Sequence, residues 1–267
     1  MTNATNTPTL ESVTSKDGTR ITFDRQGSGP AVVLVSGGSV DRGSNAGLAA
    51  ILAADFTVFN YDRRGRGESG DTQPYAVERE IEDIEAVIDA AGGSANLYGS
   101  SSGAALALEA AAAGAPVTKL ALWEPPYIID ENARPPKDQV QQYERMIAEG
   151  RRGDAAEYFM TQVVRLPAEF AAFAKTQPWW AGQMALAHTL KYDAIIMGDY
   201  SVPERSAAAV KAPTVVITGT ASMPFMASTA EALSKALPNG ETRTLEGQEH
   251  NVAPEVLAPV VKAFFAS

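Results

Sequence analysis

The run Gly99-Ser100-Ser101-Ser102-Gly103 is the part of this sequence most plainly shaped for chemistry. A short apolar segment, Ala95–Tyr98, precedes it and an alanine-rich stretch follows, so the run falls on a strand–turn–helix corner. Such a corner holds its central serine in a strained conformation, and small flanking residues let the strand and helix backbones approach. The two glycines fix the register and make Ser101 the candidate nucleophile, with Ser100 and Ser102 as its neighbours. A serine hydroxyl is a poor nucleophile near neutral pH, and an imidazole with a pKa of about 6.5 can take its proton. The chain offers two histidines, His188 and His250, and no cysteine. Disulfides, thiolate zinc sites and a thiol nucleophile are therefore excluded.

The elements that must position these residues alternate along the chain. Ile21 and Phe23 alternate with polar neighbours before a Gly/Ser/Pro turn, which predicts a strand and a hairpin. Ala31–Val35 is an unbroken, largely β-branched run ending before Ser36 and paired glycines, as suits a strand buried on both faces of a parallel sheet. The same punctuation recurs at Phe56–Tyr61, Ala95–Tyr98, Val117–Trp123 and Thr214–Thr218, with a last strand near Thr242–Leu245. Between them, Ile81, Ile84 and Ile88 form one apolar helical stripe with Glu and Asp on the other face. Ala104–Ala113 and Val256–Phe265 also read as helices. This alternation predicts an α/β fold of right-handed βαβ units around a mostly parallel sheet. From about Tyr127 to Glu204 it stops, and a Pro-punctuated, aromatic-rich stretch reads as several short helices. The expected organisation is one core in two parts, residues 10–126 and 206–267, with a helical lid inserted over 127–205. The first ten residues are polar and are expected to be loose.

Composition narrows the function classes. With 22 Lys and Arg against 32 Asp and Glu, the formal net charge is −10. A chain of this charge without a basic cluster would repel phosphate backbones, so nucleic acid is not an expected partner. A hydrophobic content of 45% is ample for a core. The opening lacks the pattern of a signal peptide, and no stretch approaches the ~20 apolar residues of a membrane span. The expectation is a soluble cytoplasmic protein with no membrane partner; the sequence leaves open whether it forms a homo-oligomer.

Several motifs then fall in a specific order. The corner at Ser101 is preceded by Val33-Leu34-Val35-Ser36-Gly37-Gly38 after a strand and by Asp62-Arg63-Arg64-Gly65-Arg66-Gly67-Glu68-Ser69 after the next. Gly247-Gln248-Glu249-His250 follows the last strand. Outside the lid, the chain resembles the α/β-hydrolase family, with Ser36 standing where a histidine before the glycine is common. The resemblance implies that His250 is the base of a triad. It also implies an oxyanion hole formed by the backbone N–H groups of Gly38 and Ser102, with Gly37 as a neighbouring alternative. Family members commonly place the acid in a G-x-x-D pattern after the penultimate strand, but here Gly219-Thr220-Ala221-Ser222 ends in serine. Serine cannot supply the charge that orients the histidine. The preceding strand ends in Leu122-Trp123-Glu124-Pro125-Pro126, an odd exit for a merely solvated carboxylate. Certain dehalogenases and the zearalenone lactonases carry the acid there, so Glu124 is assigned, the alternative being an ion pair with an arginine. Asp193 and Asp199 in the lid are poorer candidates. The order nucleophile, acid, base is that of the fold.

Asp62–Gly70 lacks the features of a phosphate loop, and its arginines are expected to brace the turn through carboxylates. His188 reads as a packed or surface histidine of the lid. Trp179 and Trp180 are candidate substrate contacts; zearalenone lactonases have a similar Pro-x-Trp-Ala stretch whose Trp faces substrate, which favours Trp180. The expected activity is hydrolysis of a small-molecule carboxylic ester or lactone, with no cofactor or metal. Two other readings stay open: a non-hydrolytic binding protein, for which Ser222 is the argument, and a cofactor-free lyase, oxygenase or perhydrolase.

Overall fold

Glycine-bounded apolar runs build the centre of the molecule. The computed structural model describes residues 7–267, and its strands form one sheet in the order β1-β2-β4-β3-β5-β6-β7-β8. They are β1 (Thr9–Thr14), β2 (Arg20–Gly27), β3 (Ala31–Val35), β4 (Thr57–Tyr61), β5 (Ala95–Ser100), β6 (Val117–Trp123), β7 (Thr214–Gly219) and β8 (Gly240–Leu245). Pairing is antiparallel at β1–β2 and β2–β4 and parallel from β4 to β8. The helices are α1 (Ala46–Leu52), α2 (Val77–Ala90) and α3 (Ser102–Ala113), then α4 (Gln139–Ala148), α5 (Arg152–Tyr158) and α6 (Ala168–Ala174). They continue with α7 (Trp180–Leu186), α8 (Leu190–Met197), α9 (Glu204–Ala209), α10 (Phe225–Ala236) and α11 (Pro254–Ala266).

The central strands are apolar throughout because both faces are covered. Val33, Val35, Leu97 and Leu122 face a core shared with Ile84 and Ile88 of α2. Their neighbours Val32, Leu34, Ala121 and Ile217 face Leu52 of α1 and Val261 of α11. A fully buried side chain of this kind contributes roughly 1.5–3 kcal/mol. After β3 the chain moves to β4 on one side and then to β5 on the other. That reversal opens a crevice at the carboxyl ends of β3 and β5, the usual ligand position in an open α/β sheet.

Three expectations need correction. Of the opening expected to be loose, residues 1–6 lie outside the described residues, whereas Thr9 and Leu10 begin β1. This edge strand is held by backbone pairing to β2, so its side chains carry no apolar period. The Gly/Ser/Pro turn after Ile21 and Phe23 does not close a hairpin, since β2 pairs with β1 and β4 and not with β3; on α2, Glu80 and Asp83 are buried against Arg63 and Arg64. The helices between β6 and β7 do begin after residue 127, but α9 spans the expected boundary at 205–206, and its Ala207 belongs to the main core. Among the described residues, no helix is long and apolar enough to cross a membrane.

Arg64 is fully buried, held by Asp83 through two bonds of 2.8 Å and by Asp17 at 2.9 Å. Removing it strands a buried carboxylate, so Arg64→Leu is expected to lower the unfolding free energy by about 3–5 kcal/mol at pH 7 in urea titrations. Burial already pushes the Asp83 carboxyl up. A group whose folded pKa lies above its unfolded one weighs against folding at high pH and less as pH falls through the folded value. The deficit of the variant should therefore shrink as the pH is lowered from 7 to about 5.

Candidate active site

The corner at Ser101 is built by close backbone approach. Ser101 has φ 55° and ψ −128°, a conformation that costs a non-glycine residue about 1–3 kcal/mol. A β-carbon on Gly99 would lie 2.5 Å from the Gly103 carbonyl oxygen, and one on Gly103 would lie 2.3 Å from that of Ser36. Only glycine fits at either place, which is why the serine is framed by two of them. The Ser101 N–H donates to the Trp123 carbonyl at 2.8 Å, tying the corner to the end of β6.

Glu124 leaves that strand end at φ 43°, immediately before Pro125, and is 2% exposed. Its Oε1 accepts from the Gly219 N–H at 2.9 Å and from Thr218 Oγ1 at 3.1 Å. Its Oε2 accepts from Ser222 Oγ at 2.7 Å and lies 2.7 Å from His250 Nδ1. Burial pushes the Glu124 carboxyl up, but the bonds from His250, the Gly219 N–H and Ser222 outweigh it and leave the group below the usual carboxylate range. The ionised carboxylate makes Nδ1 the donor. The loop carrying His250 is itself fixed: Trp123 Nε1 donates to the His250 carbonyl at 2.9 Å, and the Ala221 N–H donates to the Gln248 carbonyl at 3.0 Å. Arginine pairing, the alternative weighed for Glu124, is found instead at Asp193, which meets Arg63 and Arg66, and at Asp199, which meets Arg134.

Gly37 and Gly38 follow β3, and Ser102 opens α3, whose first-turn N–H groups have no partner within the helix. The buried arginines hold the loop after β3: Arg63 Nη1 donates to the Ser36 carbonyl at 3.3 Å, and Arg66 Nη1 donates to the carbonyls of Gly37 and Val40. Arg63 also grips Glu80 through two bonds of 2.8 Å. The Asp62–Gly70 run is thus the carboxylate-braced turn expected of it.

A model described as the alpha/beta hydrolase family matches residues 32–261. The chain belongs to this family. A solved alpha/beta hydrolase from Sphaerobacter thermophilus DSM 20745 is 51% identical, with a TM-score of 0.90, over 96% of this chain and all of that one. A thermophilic esterase from Thermogutta terrifontis (21% identity, TM-score 0.75, 97% and 98% covered) shares the fold. So does the enol-lactonase from Burkholderia xenovorans LB400 (20%, 0.71, 97% and 100%). An uncharacterized hydrolase of Bacillus subtilis, YraK, is 35% identical over 96 residues, 34% of this chain and 35% of that protein, so the match spans about a third of its length.

In this alpha/beta hydrolase, Ser101, His250, Gly38 and Ser102 all line one cavity of about 960 Å³. The helices between β6 and β7 supply an apolar wall that includes Phe159, Met160, Val163 and Phe170, and the start of α10 with the segment before it adds Phe225 and Met223. Trp179 lines the cavity too, but Trp180, the favoured substrate contact of the sequence reading, does not. Trp180 is 8% exposed and packs with Ala156, Met160 and Ala174. Adjacent residues at a helix start point about 100° apart, and here Trp179 is the one turned to the cavity while Trp180 packs inside the lid. His188 lies outside this lining, its Nδ1 3.1 Å from the Ala185 carbonyl. Among the described residues no cluster of His, Asp and Glu is arranged to hold a metal ion. The sequence reading named Ser222 and Asp193 without finding their contacts. Ser222 sits at the G-x-x-D position, and its hydroxyl donates to the Glu124 carboxylate. The contacts of Asp193 leave no local signal, because only folding brings its helix to the site.

Ser222→Ala removes one donor from the ionised form of Glu124. The pH at which Glu124 takes up its proton, followed by the carboxyl carbon resonance, is expected to rise by about 1, matching a charge-assisted bond of about 1.5 kcal/mol. Because the folded value lies below the unfolded one, Glu124 stabilises the fold fully above about pH 4.3 and loses that contribution as pH falls through the folded value. In the variant the contribution is smaller and its loss is complete at a higher pH, while the unfolded value at which the loss starts is unchanged.

Proposed function

We propose that this hydrolase cleaves a carboxylic ester or lactone through a Ser101–His250–Glu124 triad and an acyl-enzyme. The observation that carries the reading is the 2.7 Å contact between His250 Nδ1 and the buried Glu124 carboxylate, in a cavity that Ser101 also lines. With Nδ1 donating to the carboxylate, Nε2 is the unprotonated nitrogen and serves as base. Ser101 Oγ attacks the carbonyl carbon while Nε2 takes the hydroxyl proton. The N–H groups of Gly38 and Ser102 stabilise the resulting oxyanion. Collapse breaks the C–O bond, and the leaving oxygen takes the proton back from the imidazolium; in a lactone it stays attached as the opened chain. A water activated by Nε2 then attacks the acyl-enzyme, releasing the acid and Ser101.

The helices over residues 127–205 act as a lid in this scheme. Their apolar inner wall favours an apolar acyl or ring system and excludes water from the developing charges, with Trp179 at the substrate. Ser222 supports the catalytic reading over a binding-only protein, since it donates to the acid and does not stand in its place.

Hydrolysis of p-nitrophenyl esters tests the proposal. Ser101→Ala is expected to lower kcat by about 10⁴–10⁶-fold and Glu124→Gln by about 10³–10⁴-fold, both with melting temperatures close to wild type. A serine-directed phosphonate should label the wild type once and Ser101→Ala not at all. Turnover that survives loss of Ser101, or that requires peroxide, would overturn the mechanism.

A further inference from the structure

The helices between β6 and β7 send one carboxylate down to the floor of the site. Asp193, on α8, is 5% exposed. Its Oδ1 accepts from Ser102 Oγ at 2.8 Å and from Arg63 Nη1 at 2.8 Å, and both of its oxygens lie 2.9 Å from Arg66 Nη2. A β-carbon built on Gly38 would sit 3.1 Å from Asp193 Oδ2 and 3.4 Å from Ser102 Oγ. One side chain thus lies against Gly38, reaches its segment through Arg66, and bonds directly to Ser102, the two residues whose N–H groups are the oxyanion donors of the proposed reaction.

A carboxylate beside a developing oxyanion opposes catalysis unless its charge is offset. Burial pushes Asp193 up, but Arg66, Arg63 and the Ser102 hydroxyl hold it below the usual range, so it stays ionised and paired. Glu80 balances the second arginine through its two bonds to Arg63. Two cations and two anions leave no net charge, so what the cluster supplies is geometry. The Gly37 carbonyl and the Gly38 N–H belong to one trans peptide and point in opposite directions. By binding that carbonyl, Arg66 fixes the direction of the Gly38 donor. Asp193 holds Arg66 in place and, through Oδ1, holds the first turn of α3 where Ser102 lies.

We infer that Asp193 is a positioning residue that sets the direction and spacing of the Gly38 and Ser102 donors. Because it is carried by α8, the oxyanion site is complete only while that helix is seated on the core. The catalytic consequence rests on the serine-hydrolase reading, whereas the structural one does not.

The test compares wild type with Asp193→Asn and Ser102→Ala in ester kinetics, inhibition by phenylboronic acid and amide hydrogen exchange. Asp193→Asn is expected to lower kcat about 30–100-fold with KM within about threefold, somewhat less than full loss of one oxyanion donor. Boronate, which forms a tetrahedral anion on Ser101, should weaken by the same factor, and exchange over residues 36–40 should quicken. Ser102→Ala keeps its N–H and loses one bond, so it should move kcat and boronate together by about 3–10-fold. A kcat and boronate affinity within threefold of wild type for Asp193→Asn would overturn the inference, as would a loss lying wholly in KM. If Asp193→Asn does not fold, Ser102→Ala decides by whether kcat and boronate move together. A wild type without ester turnover would sink the functional reading alone; unchanged exchange over residues 36–40 in Asp193→Asn would then sink this one.

Discussion

The bond from the Ser101 N–H to the Trp123 carbonyl ties together the two strand ends that carry the proposed nucleophile and acid. The β5–β6 register sets Ser100 beside Trp123, so the next residue of each strand leaves the sheet at the same level. Those residues are Ser101 and Glu124, and both do so at positive φ, 55° and 43°. One strand further, the Glu124 N–H donates to Ile217 at 3.0 Å, which brings Thr218 and Gly219 up to its carboxylate. Parallel strands deliver all their carboxyl ends to one edge, so the convergence is a property of the pairing before any side chain is considered. Two strained corners at about 1–3 kcal/mol each are readily offset by the many buried aliphatic side chains beneath them.

Charge is handled in two different ways within a few residues of each other. Arg63, Arg64 and Arg66 are fully buried, and their carboxylate partners Glu80, Asp83 and Asp193 come from two helices far apart in sequence. Buried ion pairs contribute little net stability, since desolvation consumes most of the attraction, but they make misplacement expensive. Their effect is to fix α2, α8 and the loops after β3 and β4 relative to one another. Glu124 is treated otherwise: its oxygens are met by a backbone N–H, two hydroxyls and a histidine. An arginine there would hold the carboxylate equally well but would neutralise the charge that the proposed mechanism sets against the imidazolium.

What could be read from the sequence follows from how local each signal is. The buried strands, the glycine-framed Ser101 and the exit of Glu124 into Pro125 are each set by a few adjacent residues, and the fold class and their placement were legible. β1 was not, because an edge strand held by backbone pairing needs no apolar alternation. The burial of Glu80 and Asp83 was not legible, because an amphipathic pattern cannot tell a solvated carboxylate from one buried on an arginine. Trp180 was favoured over Trp179 on the resemblance of the Pro-x-Trp-Ala stretch, which does not fix the rotational phase of α7. Asp193 lies 91 positions from Ser102, and a contact over that separation leaves no mark in either local segment.

The position of the acid has a steric logic of its own. Glu124 and Ser222 come from the ends of neighbouring strands, yet the Ser222 hydroxyl reaches the same carboxylate oxygen that faces His250. Side chains from the two positions therefore converge on one point beside the imidazole. The histidine loop follows β8, so a carboxylate coming from β6 must cross the end of β7 to reach it. Glutamate has one methylene more than aspartate for that crossing, and a residue at position 222 as large as aspartate would compete for the space and add a second negative charge. A serine leaves the path open and turns its hydroxyl into a donor for the arriving carboxylate. The serine at 222 and the glutamate at 124 are thus two halves of one solution, in which the shorter side chain makes room for the longer one and then holds it.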